Sequence, residues 1–377
     1  MVLTLKMKLN PNEEQKLLLL ETIKSVNKIC NDISEVAWEN KVFNQFKIHK
    51  LVYHDIKNSS NLSAQVIVRA IAKINDAYKL DRKVKRVFKP FGAITYDSRI
   101  LTYKKDIASI WCIGGRQKIA FNCFNKDYLP CIKGEADLIY RKGKFFLFQC
   151  VDIPDVEIKD ITEFTGVDFG INQIVATNDG VVHTDNSLME YREKRQKVRS
   201  SIQSKGTRSS KKLLKRLSGR ERTHSNIVNH TIAKSIVLTA KKQDKGIAIE
   251  DLTNIRFTSK RRSKKFKTKL GKWSFHDLRQ KLTYKALLNG VKLIVVNPRH
   301  TSQTCHSCNH IGKRTNKTFK CVNTNCSTET IDADYNASIV IAGLGVAINT
   351  PERNSMFCSL HNVLSSKTQP IAFGVGG

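Results

Sequence analysis

Within residues 301–330, Cys305 and Cys308 are separated by two residues, Cys321 and Cys326 by four, and twelve residues lie between the pairs. No other feature limits so tightly what this chain can fold into. Spacers of two to four residues let each pair occupy one turn with both thiolates facing the same ion, and four sulfurs in a tetrahedral array select Zn²⁺. With every position taken by sulfur there is none for a reacting water, so the zinc is expected to hold shape and not to catalyse. Four unligated cysteines would instead leave reactive thiols in a basic, exposed segment. His306 and His310 stand among the cysteines; His306, lying between two of them, is expected to point away, and both read as surface or nucleic-acid-facing residues. Cys30, Cys112, Cys123, Cys131, Cys150 and Cys358 are scattered singly, mostly among apolar neighbours, as reduced buried thiols are.

The second constraint is charge. The 377 residues include 65 Lys plus Arg against 33 Asp plus Glu, a formal net charge of +32. A field of that sign attracts polyanions, and each basic side chain that neutralises a phosphate adds counterion-release free energy. There is no apolar run of the ~18 residues that would span a bilayer and no apolar leader at the start. The expected partner is therefore nucleic acid, with no membrane, and the expected location intracellular and cytoplasmic. The 40% of hydrophobic residues argues for real cores and against a merely basic tail. Two basic runs bracket Glu250. Residues 191–220 carry twelve Lys or Arg and one acid, and residues 260–272 carry eight basic residues and read as a loop. Phosphate contact is expected from both, through Lys211, Lys212, Lys215 and Arg216 in the first and Arg261, Arg262, Lys264 and Lys265 in the second. Trp273 and Phe275 are expected to pack in a helix core in preference to stacking on bases.

Along the chain, VLTLKMKL alternates as a half-buried strand does. Asn10-Pro11 ends it, with Pro11 suited to a first helical turn, and Ile23, Val26, Cys30, Ile33 and Val36 then recur at helical spacing. A second amphipathic helix is predicted from an N-cap at Ser63 through Val66, Ala70, Ile71, Ile74 and Tyr78. From Phe88 to about Phe164 short β-rich runs separated by turn signals predict a small antiparallel barrel. The first strand precedes the helices and can complete that barrel, which makes the helices an insertion in it. From Thr165 onward strands and helices alternate: TGVDFGINQIVAT, then HSNIVNHTIAKSIVLTAKK, GIAIE, WSFHDLRQKLTYKALLNG and VKLIVVNP. This order predicts a mixed sheet covered by helices, with Gly290 closing the last helix.

Three acidic positions separate themselves by context. Asp168 lies within the apolar GVDFG, Glu250 ends GIAIE, and Asp332 and Asp334 open the helix-like DYNASIVIAGL. A strand-end acid taken singly is ordinarily a cap or a solvated residue. Acids converging from two strands and a helix can instead hold a pair of divalent cations, one activating a water and the other stabilising the departing oxygen of a phosphodiester. Hard oxygen ligands select Mg²⁺ or Mn²⁺. Asp332 and Asp334 compete for the third place, because neighbours two apart face largely opposite ways and one of them should meet the metals.

GVDFGINQIVAT, IAIEDL, the TSQTCHSCNH ribbon and DADYNAS, in that order, resemble TnpB, the transposon-encoded relative of type V CRISPR effectors. The resemblance covers nearly the whole chain and is most specific from about 165 to 345. It implies an α/β multidomain chain: an RNase H-like (RuvC) nuclease domain with an inserted four-cysteine zinc ribbon, preceded by a wedge β-barrel with an inserted helical domain. The implied segments are the first barrel strand (1–9), the helical recognition insertion (10–88), the barrel (89–164), the nuclease domain (165–300), the ribbon (301–330), the last nuclease helix (331–348) and a flexible tail (349–377). The resemblance further implies an RNA-guided DNA endonuclease encoded by an insertion sequence. Asp168, Glu250 and Asp334 would be its catalytic triad and Mg²⁺ ligands, and a guide RNA from the transposon end and double-stranded DNA its partners; the oligomeric state is left open by the sequence, with a monomer favoured. Two departures stand out: four residues separate the second cysteine pair where two are usual, and Ser338 stands where an alanine is common. A transposase-associated DNA-binding protein, a nuclease-inactive RNA-guided regulator and a miniature type V CRISPR effector are the alternative readings.

Overall fold

The computed structural model describes residues 1–170, 174–183, 186–253 and 275–350. They fall into two compact units that divide after Pro154.

In the first unit the opening strand β1 (Val2–Leu9) is followed by three helices, α1 (Glu13–Glu39), α2 (Gln45–Ser59) and α3 (Ala64–Leu80). Six further strands complete it: β2 (Ile94–Tyr96), β3 (Leu101–Lys104), β4 (Ile107–Cys112), β5 (Gly115–Cys123), β6 (Ile132–Arg141) and β7 (Lys144–Asp152). The sheet order is β2-β6-β7-β1-β5-β4-β3, antiparallel throughout, so the strand that opens the chain lies at the centre. The two edge strands, β2 and β3, are consecutive in the chain with residues 97–100 between them. So short a link cannot cross a flat seven-stranded sheet, and the sheet must curl into a near-closed barrel. Leu5, Met7 and Leu9 of β1 are buried, and Met7 and Leu9 share one core with Leu19, Ile23, Ile33, Ile67, Ile71 and Tyr78 of the helices. Burial in that unit pushes the Cys30 thiol up to about 11 and Cys112 to about 12, which keeps both protonated and inert.

Pro11 lies outside the helix it was expected to open. Asn12 is the cap, accepting from the Gln15 backbone at 2.8 Å while the Gln15 side chain reaches back to it, so α1 begins at Glu13. Ser63 caps α3, accepting from the Val66 backbone. Helix α2 is absent from the sequence reading for a physical reason: it buries Ile48 and Val52 alone, too thin a stripe to show as a period.

The second unit holds β8 (Phe164–Asp168), β9 (Val175–Thr177), β10 (Val182–His183), α4 (Asn186–Ser204), α5 (Arg208–Leu217), α6 (Arg220–Lys242) and β11 (Gly246–Glu250). After the undescribed residues 254–274 come α7 (Phe275–Leu288), β12 (Leu293–Val296), a small sheet of β13 (Lys313–Thr315), β14 (Thr318–Lys320) and β15 (Thr330–Asp332), and α8 (Ala333–Asn349). The larger sheet runs β10-β9-β8-β11-β12, with β8, β11 and β12 parallel and β9 and β10 antiparallel. Every residue of β8 and β11 is buried, as expected of strands covered on both faces. Helices α6 and α7 cover one face through Ile236, Val237, Leu278 and Leu282. Helix α8 covers the other through Ile341, against Phe164 and Ala248. Its approach is too close for ordinary side chains: a Cβ on Gly166 would lie 1.9 Å from the Ser338 carbonyl oxygen, and one on Gly345 would lie 2.7 Å from Ala248 Cβ. Ser338 is buried there, and its hydroxyl donates to the Tyr335 carbonyl at 2.7 Å, so it fits where an alanine was expected.

Among the described residues no helix is long and apolar enough to cross a membrane. Cys358 and residues 351–377 of the expected tail lie outside the described residues, as do the expected loop 260–272 and Trp273. Phe275 is buried in the helix core.

Candidate active site

Asp168 and Glu250 are the last residues of neighbouring parallel strands, β8 and β11, whose register pairs Ile249 with Val167. Alternate residues of a strand share a face. Gly166 meets Ser338 of α8 and Ala248 meets Gly345 of α8, so Asp168 and Glu250, each two residues further on, also lie on the α8 side. Asp334 sits one helical turn before Ser338, in the first turn of α8. The same packing that seats the helix on Gly166 thus carries Asp334 to the sheet end where the two strand acids stand.

Asp332 has other work. Its carboxylate accepts from the backbone N–H of Asp334 at 3.0 Å and of Tyr335 at 2.9 Å, which makes it the N-cap of α8. Of the two competing acids, Asp334 is the one that bears electrostatically on Asp168.

The electrostatics report how near the three acids are. Burial, then the Glu250 carboxylate, then the Asp334 carboxylate push Asp168 well above the usual carboxylate range, while Arg314 pulls the other way. Burial pushes Glu250 up to about 7, opposed by the Thr301 hydroxyl, which donates to its Oε1, and by the Arg314 charge. Arg314 Nη2 lies 2.5 Å from Asp334 Oδ1. One guanidinium on β13 therefore bears on all three carboxylates. The result is a largely buried cluster of oxygen donors in which one guanidinium faces three carboxyl groups and Asp168 is left to hold its proton, and hard oxygen donors of this kind are what a divalent cation needs.

The cysteines form a second cluster, in which all four Sγ atoms lie within 4.8 Å of one another. It is the one group of His, Cys, Asp or Glu gathered so tightly among the described residues; the three acids are not. Cys305 Sγ and Cys326 Sγ are 3.8 Å apart, Cys308 Sγ and Cys321 Sγ 3.6 Å. Tetrahedral zinc with Zn–S bonds of ~2.3 Å sets its sulfurs ~3.8 Å apart, so the spacing suits that ion and far exceeds a disulfide bond. Against the opposing effect of burial, hydrogen bonds from the His310 backbone and from neighbouring thiols draw Cys308 down to about 6, while burial and the neighbouring thiols push Cys321 up to about 12, so the crowded sulfurs divide their protons unequally when no cation joins them. The extra residues between Cys321 and Cys326 do not prevent the gathering.

The two clusters are tied together. β14 pairs with β15, β15 runs directly into α8, and Phe319 and Ala333 pack with Cys305 and Cys321. Asn336, fully buried on α8, donates to the Thr304 carbonyl at 2.7 Å and accepts from the His306 backbone at 3.1 Å. His306 Nδ1 lies 3.0 Å from the same Asn336 oxygen, so this ring faces α8 and not the thiolates. His310 Nδ1 lies 3.1 Å from the Cys308 carbonyl oxygen.

Arg314, Thr301 and Asn336 escaped the sequence reading. Arg314 is one of 65 basic residues and nothing local marks it. Asn336 had a signal, its place two residues after Asp334 in DADYNAS.

Of the expected nucleic-acid contacts, Lys211, Lys212, Lys215 and Arg216 are all exposed on α5, at spacings that share one face, while Leu213, Leu214 and Leu217 are half-buried. Among the described residues no acid forms a salt bridge with these four. Arg261, Arg262, Lys264 and Lys265 lie outside the described residues.

The chain is similar to several known proteins. Residues 275–341 match the Cas12f1-like TNB domain family. A TnpB-like protein of Methanocaldococcus jannaschii is 28% identical over 276 residues, which cover 73% of this chain and 96% of that protein. A CRISPR-associated endodeoxyribonuclease Cas12f1 of Sulfoacidibacillus thermotolerans is 33% identical over 225 residues, 54% of this chain and 50% of the relative. The fold is like that of the protein in a cryo-EM structure of a Cas12f1–sgRNA–target DNA complex, with a TM-score of 0.57 at 14% identity over 88% of this chain and 83% of that one.

Proposed function

We propose that this chain, a relative of the TnpB-like and Cas12f1 proteins, is an RNA-guided DNA endonuclease of the TnpB type. The observation that carries the reading is the convergence of Asp168, Glu250 and Asp334 on one face at one sheet end, where burial and their mutual repulsion hold Asp168 protonated well above its usual range. Structural acids are ordinarily arranged to avoid that cost; acids that must grip cations accept it.

In this reading residues 165–300 and 331–348 are the RuvC-type nuclease domain and 301–330 its zinc ribbon. Residues 1–9 and 89–164 form the wedge barrel, and 10–88 the recognition insertion. Asp168, Glu250 and Asp334 would hold Mg²⁺ or Mn²⁺, which when bound supplies water activation and stabilisation of the leaving oxygen of a phosphodiester. Thr301 orients Glu250, and Arg314 orients Asp334 and offsets charge at the same place. Zn²⁺ on Cys305, Cys308, Cys321 and Cys326 holds the hairpin that carries Arg314 and, through Asn336, fixes the start of α8. The thiolates thereby shape the carboxylate site without entering its chemistry.

Sequence recognition is assigned to a guide RNA derived from the transposon end, with protein contacts to phosphates and to a short motif beside the target. The exposed α5 lysines and arginine suit the phosphate-contacting part. Expressing the chain from its native locus, sequencing the RNA that co-purifies, and programming it against a plasmid tests the reading. A discrete bound RNA and magnesium-dependent cutting at the matching site are expected; RNA binding with intact plasmid would favour a guided regulator, and absence of any discrete RNA would overturn guiding.

A further inference from the structure

Helices α4, α5 and α6 enclose a groove of about 470 Å³, lined by none of the carboxylates or thiolates described above. Its walls are of two kinds. Val198 of α4 and Leu214 and Leu217 of α5 give it an apolar side, and Val198 is 44% exposed where a helix packed on its neighbours would bury it. Arg195 and Arg199 of α4, one turn apart and so on one helix face, stand at the same groove. Ser200, Gln203 and Ser218 add hydroxyl and amide groups. Among the described residues no carboxylate forms a salt bridge with Arg195 or Arg199, and the acid that lines the groove, Glu221, is engaged by Arg192 at 3.5 Å. The Arg195 guanidinium lies 5.0 Å from the Tyr191 ring centroid, and Tyr191 in turn stacks on His224 at 4.8 Å. One of the two forks is thus held in place by the fold itself. The basic side chains of α5 belong to a different surface: Lys211, Lys212, Lys215 and Arg216 are exposed and do not line the groove.

The size of the groove selects among occupants. It falls in the range of sites that take one small molecule, whereas two turns of helix, about 11 Å across and 11 Å long, would displace on the order of 1,000 Å³. A fatty acyl chain would suit the apolar side but would leave Ser200, Gln203 and Ser218 facing methylenes. A strand tracked by its backbone needs an open row of charges, as the outward face of α5 offers, and has no use for an aliphatic wall. A nucleoside phosphate uses every component: a flat base for the aliphatic side chains, polar edges for the hydroxyls and the amide, and phosphate oxygens for two planar guanidinium forks. We infer that the groove between α4, α5 and α6 is a binding site for a free nucleoside phosphate, with the base against Val198, Leu214 and Leu217 and the phosphates on Arg195 and Arg199. The site is separate from the carboxylate centre, and the inference stands apart from the endonuclease reading.

The test uses the full chain with its co-purified RNA, in magnesium-free buffer at about 0.15 M salt to screen loose attraction. The probes are the photoreactive nucleotides 8-azido-ATP, 8-azido-GTP and 5-azido-UTP. Saturable labelling by at least one of them is expected, with the labelled peptides falling in residues 195–221. Arg199→Gln removes a fork from an exposed side chain and should weaken binding about ten-fold. Ser200→Leu, also at an exposed position, fills the groove and should abolish labelling. Lys194→Gln removes the same charge from α4 at a position outside the groove and should change nothing. An RNA oligomer without terminal phosphate should compete poorly for the label. Labelling that maps elsewhere or does not saturate, an Arg199→Gln chain that binds like wild type, or equal loss in Lys194→Gln would each overturn the site. Full competition by the oligomer would do so too, since the groove would then be a strand-contact surface. Plasmid cleavage is measured separately: labelling without cleavage would keep the nucleotide site and remove the endonuclease, and cleavage without labelling would do the reverse.

Discussion

The thiolate cluster and the carboxylate cluster lie in one unit and are joined through α8, yet they are built in opposite ways. The four cysteines come from one short segment, and their sulfurs gather within 4.8 Å of one another, two of the pairs at 3.6 and 3.8 Å. The acids come from β8, β11 and α8 and stand less tightly together, and the Glu250 and Asp334 carboxylates add to burial in raising the proton affinity of Asp168. A structural metal site can be encoded by spacing alone, because turns bring its ligands together. A site for hydrolysis must stay open, charged and unrelieved, and so depends on a sheet and a helix to hold repelling groups in place.

The largest expected effect separates the two clusters outright. Asp168→Ala, Glu250→Ala and Asp334→Ala should each lower single-turnover DNA cleavage roughly a thousand-fold or more, with mobility-shift binding to nucleic acid retained and zinc content unchanged. Full cleavage by any of the three would dissolve the carboxylate half of the comparison. Cys308→Ser should do the converse, removing bound zinc and lowering the melting temperature, because metal binding and folding are linked. Metal analysis and calorimetry check this, and an unchanged zinc content would show that the thiolates are not a metal site.

Gly166→Ala probes the packing that delivers Asp334. A Cβ placed 1.9 Å from the Ser338 carbonyl oxygen must push α8 off β8, at a cost of about 3 kcal/mol and with loss of cleavage, measurable by denaturant melts and the same cleavage assay. Arg314→Gln tests whether the ribbon acts on the acids: zinc should remain, while cleavage at limiting Mg²⁺ falls about ten-fold in a metal titration. Equal activity across that titration would confine the ribbon to a structural role.

The smallest effect concerns protons. Glu250 has its folded-state value pushed from 4.5 to about 7, so between those values the folded chain binds more protons than the unfolded one and stability falls as pH rises. In magnesium-free buffer Glu250→Gln should therefore gain about 1–3 kcal/mol over wild type at pH 8 and little at pH 4. Urea melts at the two pH values decide it; a variant equally stable relative to wild type at both would mean that the carboxylate is not under the strain argued here.

The residues differ in how far each could be read without coordinates. Cys305, Cys308, Cys321 and Cys326 announce themselves by spacing, and Ser63 by its place before a periodic run. Asp168 and Glu250 stand out as acids ending apolar strands. Spacing alone did not separate Asp332 from Asp334, and it was the resemblance of DADYNAS to the family's motif that favoured Asp334; the physical ground for the choice, which carboxylate caps α8 and which lies beyond the cap, is visible in the fold. Helix α2 was hidden by its thin apolar stripe, and Pro11 was one residue short of the cap that matters.

What the sequence by itself determined is whatever is local or summed: the ligand spacing of the ribbon, the buried strands with acids at their ends, the helical periods, and the excess of positive charge. Only the tertiary structure decided that β8 and β11 end side by side, that Gly166 admits α8 close enough to bring Asp334 to them, and that Arg314 answers all three acids. The reason is physical. Period and spacing act through neighbouring bonds and are written in order along the chain, whereas Coulomb interaction and close packing depend on distance in space, which exists only after folding.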